Sequence, residues 1–138
     1  MRRTVVVDAG PLVAFLSPRD RYHRWASEAM RDVRAPLLTT EPVLTEAFFL
    51  LRKTPHGTDL AWELLARGML SIELSVSAEA QSLRRLMAKY ADVPMSVADA
   101  SLVRLSELRG GSTVMTLDSD FRVYRRHGRQ AIPLISPG

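Results

Sequence analysis

Short, almost wholly apolar runs alternate along this chain with longer stretches whose apolar residues recur at helical spacing. The first run, Thr4 to Val7, holds three consecutive valines and reads as a strand buried on both faces of a parallel sheet. After it, Gly10 supplies a tight turn and Pro11 the first position of a helix continued by Leu12, Val13, Phe15 and Leu16. Ser17 to Arg24 is a polar, proline-punctuated link. Tyr22 to Val33 then reads as a second helix with Trp25, Ala26, Ala29, Met30 and Val33 on its apolar side.

A short strand at Pro36 to Thr39 leads into a helix capped by Thr39 or Thr40 and running to Arg52. Its VLTEAFFLL segment is apolar on nearly every side, which predicts burial and leaves the carboxylate of Glu46 in need of a cation. Beyond a turn at Thr54 to Thr58, Asp59 to Gly68 reads as a helix with Leu60, Leu64 and Leu65 inward and Gly68 as its stop. Met69 to Leu74 alternates as a strand. A helix capped by Ser77 follows to Tyr90, with Ala80, Leu83, Leu86 and Met87 as its stripe, and another runs from Ser96 to Leu108. Thr113 to Leu117 is a second buried strand, Asp118 opens a short helix to Arg126, and Ala131 to Ile135 makes an edge strand because of Pro133.

Strands alternating with helices predict an α/β fold, a parallel sheet covered by helices, in one domain spanning residues 1–138. Right-handed crossovers carry the ends of the first and fourth strands to one edge of that sheet, where open α/β folds bind ligands. The two strands end on Asp8 and Asp118. Glu46 and Asp99 fall in early helical turns, which lie along the same edge, so four carboxylates can face one crevice. Each also has a plain structural reading. Asp8 and Asp118 fit helix caps, and Ser96 with Asp99 fits a capping box. Asp120 fits a favourable charge at a helix start.

Composition narrows the chemistry. The chain has no cysteine, which excludes disulfides, thiolate metal sites and cysteine nucleophiles. Of its 19 basic residues only Lys53 and Lys89 are lysines, and the net charge is +4. Arginine's forked donors suit phosphate oxygens, although a GC-rich genome gives the same bias. Arg19, Arg21, His23, Arg24 and Arg122 are candidate RNA contacts or simply solvated surface, and the stretches 17–24 and 122–129 are where any RNA preference would reside. With no run of 18 apolar residues and no signal-peptide pattern, the expected compartment is cytoplasmic, with no membrane partner.

Four gathered carboxylates raise one another's proton affinity unless a cation intervenes. A hard ion, Mg²⁺ or Mn²⁺, takes few protein oxygens and completes its shell with waters and substrate phosphate. That arrangement suits phosphodiester hydrolysis, with Thr116 and Ser119 placed to position a water or a phosphate oxygen.

The motifs VVVDAGPLVAFL, EPVLTEAFFLLR, PMSVADASLV and TVMTLDSDFRVY resemble, in order, the four acidic motifs of the PIN-domain family. Their likeness is to VapC-like toxin ribonucleases of toxin–antitoxin pairs. The resemblance implies a PIN-like three-layer α/β/α sandwich with about four to five parallel strands. It also implies Mg²⁺- or Mn²⁺-dependent endoribonuclease activity. Asp8, Glu46, Asp99 and Asp118 would be the metal-binding acids, with Asp120 supplementing or replacing Asp118. A homodimer and a cognate antitoxin would be the partners. Two positions depart from the pattern: Gly10 stands where many members carry Ser or Asn, and Ser96 where some carry an acid. The competing reading is a non-catalytic PIN-like module that grips RNA or a protein. A haloacid-dehalogenase-like phosphatase wants an acid at Gly10, and a phospho-acceptor receiver wants a lysine near its last strand; the chain meets neither demand.

Overall fold

The structure, a computed structural model, describes residues 2–138. Its strands are β1 (Val5–Val7), β2 (Leu37–Thr39), β3 (Leu70–Ile72), β4 (Thr113–Met115), β5 (Arg125–Arg126), β6 (Gln130–Ala131) and β7 (Leu134–Ile135). Five of them form one parallel sheet in the order β3-β2-β1-β4-β7. The central pairing sets Val5 against Thr113, Val6 against Val114 and Val7 against Met115. All six of these residues are buried, as a strand covered on both faces requires.

The helices are α1 (Ala9–Leu16), α2 (His23–Ala29), α3 (Glu41–Leu51), α4 (Gly57–Ala66), α5 (Ala80–Lys89) and α6 (Val97–Leu108). Helix α6 is the most deeply set: it packs on β1, β4, α3 and α5 and buries Leu102, Val103 and Leu105. Each such side chain taken wholly from water contributes about 1.5–3 kcal/mol before the entropy of ordering it. The predicted order of strands and helices along the chain is the observed one up to β4, including the edge position of the last strand.

Several local expectations fail for identifiable reasons. Pro11 is the third residue of α1 and Gly10 the second, because Asp8 itself is the cap and the helix starts directly after it. Helix α3 is not buried all round. Val43, Ala47 and Leu51, spaced four apart, are buried and Leu44 and Phe48 pack half-buried beside them, whereas Phe49, Leu50 and Glu46 are exposed. In α4 Gly57 and Ala61 are buried and Leu64 and Leu65 pack half-buried against the core as expected, whereas Leu60 is turned out. Helix α5 starts at Ala80, itself exposed, and Ser77 does not cap it. The helix expected to reach Arg126 is a 3₁₀ turn, Ser119–Arg122, after which β5 and β6 form a two-stranded antiparallel hairpin. His127 and Gly128 sit at its tip with φ of 53° and 79°. A tight hairpin turn demands this left-handed backbone, and the sequence advertises it only through Gly128.

Candidate active site

The parallel pairing of β1 and β4 fixes the core of the site. Continuing their register beyond Val7 and Met115 brings Asp8 beside Thr116, and the Thr116 hydroxyl donates to Asp8 Oδ2 at 2.7 Å. The same hydroxyl oxygen accepts the backbone N–H of Asp118 at 3.0 Å. Asp8 Oδ1 accepts from Ala9 N at 2.8 Å, so the cap and the site share one carboxylate. Asp118 likewise caps the 3₁₀ turn, accepting from Asp120 N at 2.9 Å. Thr116, read from the sequence as a holder of water or phosphate, is committed instead to orienting Asp8 and Asp118.

Asp99 enters from the first turn of α6. Its Oδ2 accepts from Ser96 N at 3.2 Å while Ser96 Oγ accepts from Asp99 N at 3.0 Å, a complete capping box. Tyr124, which the sequence reading did not single out, adds its hydroxyl to the same Oδ2 at 3.3 Å. Its ring is wholly buried against Tyr90 and Phe121. No spacing rule could have found it, since it lies beyond the 3₁₀ turn and reaches α6 only through the tertiary fold.

These groups open onto a cleft of about 530 Å³, lined by Asp8, Glu46, Asp99 and Asp118 together with Ser96 and Gly10. Leu50, Ala98 and Leu117 supply its apolar wall. A Cβ on Gly10 would lie 3.1 Å from Leu117 Cδ1, so a side chain there would press on that wall. The four acids singled out from the sequence thus share one cavity. Asp120 does not line it; it stands on the 3₁₀ turn behind Asp118. Ser119 and Arg122 border a smaller adjoining depression with Asp118. Arg19, Arg21, His23 and Arg24 lie elsewhere. Arg19 flanks a separate pocket beside Lys53, Arg21 stacks over Tyr22, and His23 bonds the Ala14 carbonyl.

The electrostatics are those of crowded carboxylates. Burial pushes Asp8 from 3.8 up to about 6; its two hydrogen bonds pull the other way and do not cancel that effect, and the charges of Asp99 and Glu46 add to it. Glu46 is raised too, through partial desolvation and then Asp99 and Asp118. Glu46 is far less desolvated than the sequence suggested and joins the cluster as an exposed group on the cleft wall. Tyr124 is raised, by burial first and by Asp99 second, and stays a donor at all ordinary pH.

The donor set suits a hard divalent ion: oxygen alone, with Asp99 Oδ1, Asp118 Oδ2 and both Glu46 oxygens free of protein donors among the described residues. Among those residues no three acidic or histidine side chains converge closely enough to enclose an ion by themselves. An ion that keeps several waters and borrows oxygens from its substrate needs no such enclosure.

Comparison with known proteins agrees with this geometry. Residues 5–126 match the family model described as the PIN domain. Ribonuclease VapC26 of Mycobacterium tuberculosis is 28% identical over 126 residues, covering 89% of this chain and 88% of the relative. The crystal structure of Mycobacterium tuberculosis VapC20, described as a sarcin-ricin loop cleaving toxin, superposes with a TM-score of 0.77. That superposition covers 94% of this chain and 100% of the other at 19% identity, and it speaks for the shared fold. With the α/β sandwich, the four acids in one cleft and a family match over nearly the whole length, the chain belongs to the PIN-domain family.

Proposed function

We propose that this chain is a Mg²⁺- or Mn²⁺-dependent endoribonuclease that hydrolyses RNA phosphodiester bonds, acting as the toxin of a toxin–antitoxin pair. The observation that carries the reading is the single cleft lined by Asp8, Glu46, Asp99 and Asp118, delivered by four separate parts of the chain. The names borne by its VapC relatives support the RNA substrate and the antitoxin partner. Structural caps alone would scatter these acids; they would not gather them.

In this reading Asp8, Asp99 and Asp118 hold the ion, Glu46 closes the cluster from α3, and Asp120 adds charge beside Asp118. A bound Mg²⁺ or Mn²⁺ would supply Lewis-acid activation of water and neutralise charge gathering on the phosphate. The protein's own work is orientation. Thr116 locks Asp8 to Asp118, Ser96 and Tyr124 fix Asp99, and Ser119 and Arg122 stand where a phosphate oxygen leaving the cleft would pass. The proposal takes residues 1–138 as one domain. It includes a homodimer, with Phe49 and Trp62, 61% and 59% exposed, as apolar surface that partners would cover. It places the protein in the cytoplasm with its RNA; no helix among the described residues is long and apolar enough to cross a membrane.

The test is cleavage of single-stranded RNA by the purified chain with Mg²⁺ or Mn²⁺, compared with Asp99→Asn. The expected result is cleavage abolished by the substitution and by chelator, with an unchanged circular dichroism spectrum. Undiminished cleavage in excess chelator refutes the metal reading. RNA that is bound yet left whole, with no ion taken up at the acids, establishes the non-catalytic module instead.

A further inference from the structure

The acidic cleft repels the polymer it is proposed to cut, and the chain's excess of basic residues must act somewhere else. Arg19, Arg21 and Arg24 are dispersed around the α1–α2 link. The other basic stretch, Arg122 to Arg129, is folded by the β5–β6 hairpin against α5 and α6. Between these three elements lies a concavity of about 330 Å³, separate from the acidic cleft and lined by Arg85, Lys89, Arg104, Glu107, His127 and Gly128.

The pairing within it decides its net charge. Arg104 is taken up by Glu79 at 2.5 Å and Glu107 at 3.1 Å, a triad that leaves one negative charge in excess. The other oxygen of Glu107 accepts the His127 backbone N–H at 2.7 Å, which pins the hairpin tip to α6. Arg85 and Lys89 are left with no acidic partner among the described residues. Arg85 reaches only Ser82 Oγ at 3.3 Å, and Lys89 Nζ spends one proton on the Gly128 carbonyl at 3.1 Å. Lys89 also lies 5.3 Å from the centre of the Tyr90 ring, which steadies its stem. The His127 imidazole, on exposed left-handed backbone, borders the same hollow. The concavity therefore presents two unspent cations and an imidazole to solvent, and these outweigh the single excess negative charge of the Arg104 triad.

Its position relates it to the cleft. Helix α6 carries Asp99 in its first turn and Glu107 eight residues later, about 12 Å further along the axis. The hairpin is tied to the cleft end by Tyr124 on Asp99 and to α5 by Arg125 N on the Tyr90 hydroxyl. Buried Arg126 anchors it at the other end on the Ser112 carbonyl.

We infer that the concavity between α5, α6 and the β5–β6 hairpin is a second binding site, which takes a backbone phosphate of single-stranded RNA through Arg85, Lys89 and His127 while the strand continues into the acidic cleft. The inference rests on the ribonuclease reading for its ligand. Such a site supplies affinity that is independent of sequence and sensitive to salt, and it offsets the repulsion at the acids.

The experiment is fluorescence anisotropy of a labelled single-stranded RNA with the full chain in chelator across a series of KCl concentrations, followed by cleavage kinetics with Mn²⁺. Both arms compare wild type with Arg85→Ala/Lys89→Ala. A second pair, Arg31→Ala/Arg34→Ala, removes the same charge from exposed residues outside the concavity. Each phosphate held on a single strand contributes about −0.7 to the slope of log K against log salt, so losing the one phosphate held by the concavity should flatten it by about 0.7. Binding at low salt should weaken about tenfold, and KM should rise by a similar factor while kcat stays within about twofold. An unchanged slope and KM in a correctly folded Arg85→Ala/Lys89→Ala protein overturns the inference, as does equal flattening by the Arg31/Arg34 pair. Loss of binding at the concavity without any cleavage by wild type upholds this site and removes the catalytic reading. Normal cleavage with an unaltered slope does the reverse, and absence of salt-sensitive RNA binding by wild type overturns both.

Discussion

Replacing Asp8 by Asn should stabilise the ion-free protein at neutral pH while destroying its activity. The folded carboxyl sits at about 6 against 3.8 for the free group, chiefly through burial, so the native state holds its proton more tightly than the unfolded chain does. Its contribution to stability is therefore complete below about pH 4 and is lost as pH rises through 6. By pH 7.5 the ionised side chain costs the fold about 3 kcal/mol relative to a neutral one. Asn has the same shape and no charge, and keeps an oxygen for the Ala9 N–H. How well the amide suits the Thr116 hydroxyl shifts the whole comparison by a constant; the dependence on pH belongs to the charge alone. Between pH 5 and 7.5 the advantage of Asp8→Asn over wild type should grow by about 1 to 2 kcal/mol, on the order of 5 °C in Tm. The assay is urea unfolding of both proteins in chelator at several pH values. Glu46 moves in the same direction and largely cancels between the two. Added Mg²⁺ should reverse the ranking, stabilising wild type increasingly with pH and leaving the variant unmoved. A difference that stays flat with pH in chelator refutes the reasoning, since Asp8 would then be an ordinary solvated cap.

Thr116→Val should cost about 1–3 kcal/mol, because the Asp118 N–H and an Asp8 oxygen lose their shared hydroxyl, whereas Thr116→Ser should retain most of the stability and the cleavage; urea midpoints and kcat for the two variants check this. Tyr124→Phe keeps the aromatic packing on Tyr90 and Phe121 but frees Asp99 Oδ2 of one donor. It should change stability by under about 1 kcal/mol and lower cleavage severalfold, and equal losses in both would mark the hydroxyl as purely structural. Ser96→Ala removes the acceptor for Asp99 N and should cost about 1 kcal/mol in a thermal or urea melt; no loss would show that the capping box is idle.

The parts of the fold that were legible in the sequence are those whose signal is local. Val5 to Val7 and Thr113 to Met115 announce themselves by composition, and their shared edge follows from the handedness of crossovers, so the meeting of Asp8 with Asp118 could be reasoned before any coordinates. Ser96 with Asp99 shows why the two readings of an acid need not compete: the capping box engages Oδ2 and leaves Oδ1 to the cleft. What stayed hidden was set by packing. VLTEAFFLL looks uniformly apolar, yet only every fourth residue is fully buried, and Phe49 and Leu50 are exposed with nothing in the pattern to distinguish them. Gly10 suggested a turn because glycine often marks one. Here it stands inside a helix, where its bare Cα gives room to Leu117, a residue more than a hundred positions away. The hairpin at 125–131 was missed because its strands are two residues long and its turn lacks the Asn-Gly or Asp-Gly signature.

The hydroxyl joining Asp8 to Asp118 spans 108 positions of sequence, and β1 can enter the sheet's centre only when β4 arrives to flank it. Asp8 leaves the ribosome more than a hundred residues before Thr116 and Asp118 are made. A nascent fragment lacking β4 also lacks Asp118, and holds Asp8, Glu46 and Asp99 without the pairing that completes the cleft. Synthesis itself thus sets the order of assembly, withholding the four-acid cleft until β4 and the residues after it have been made.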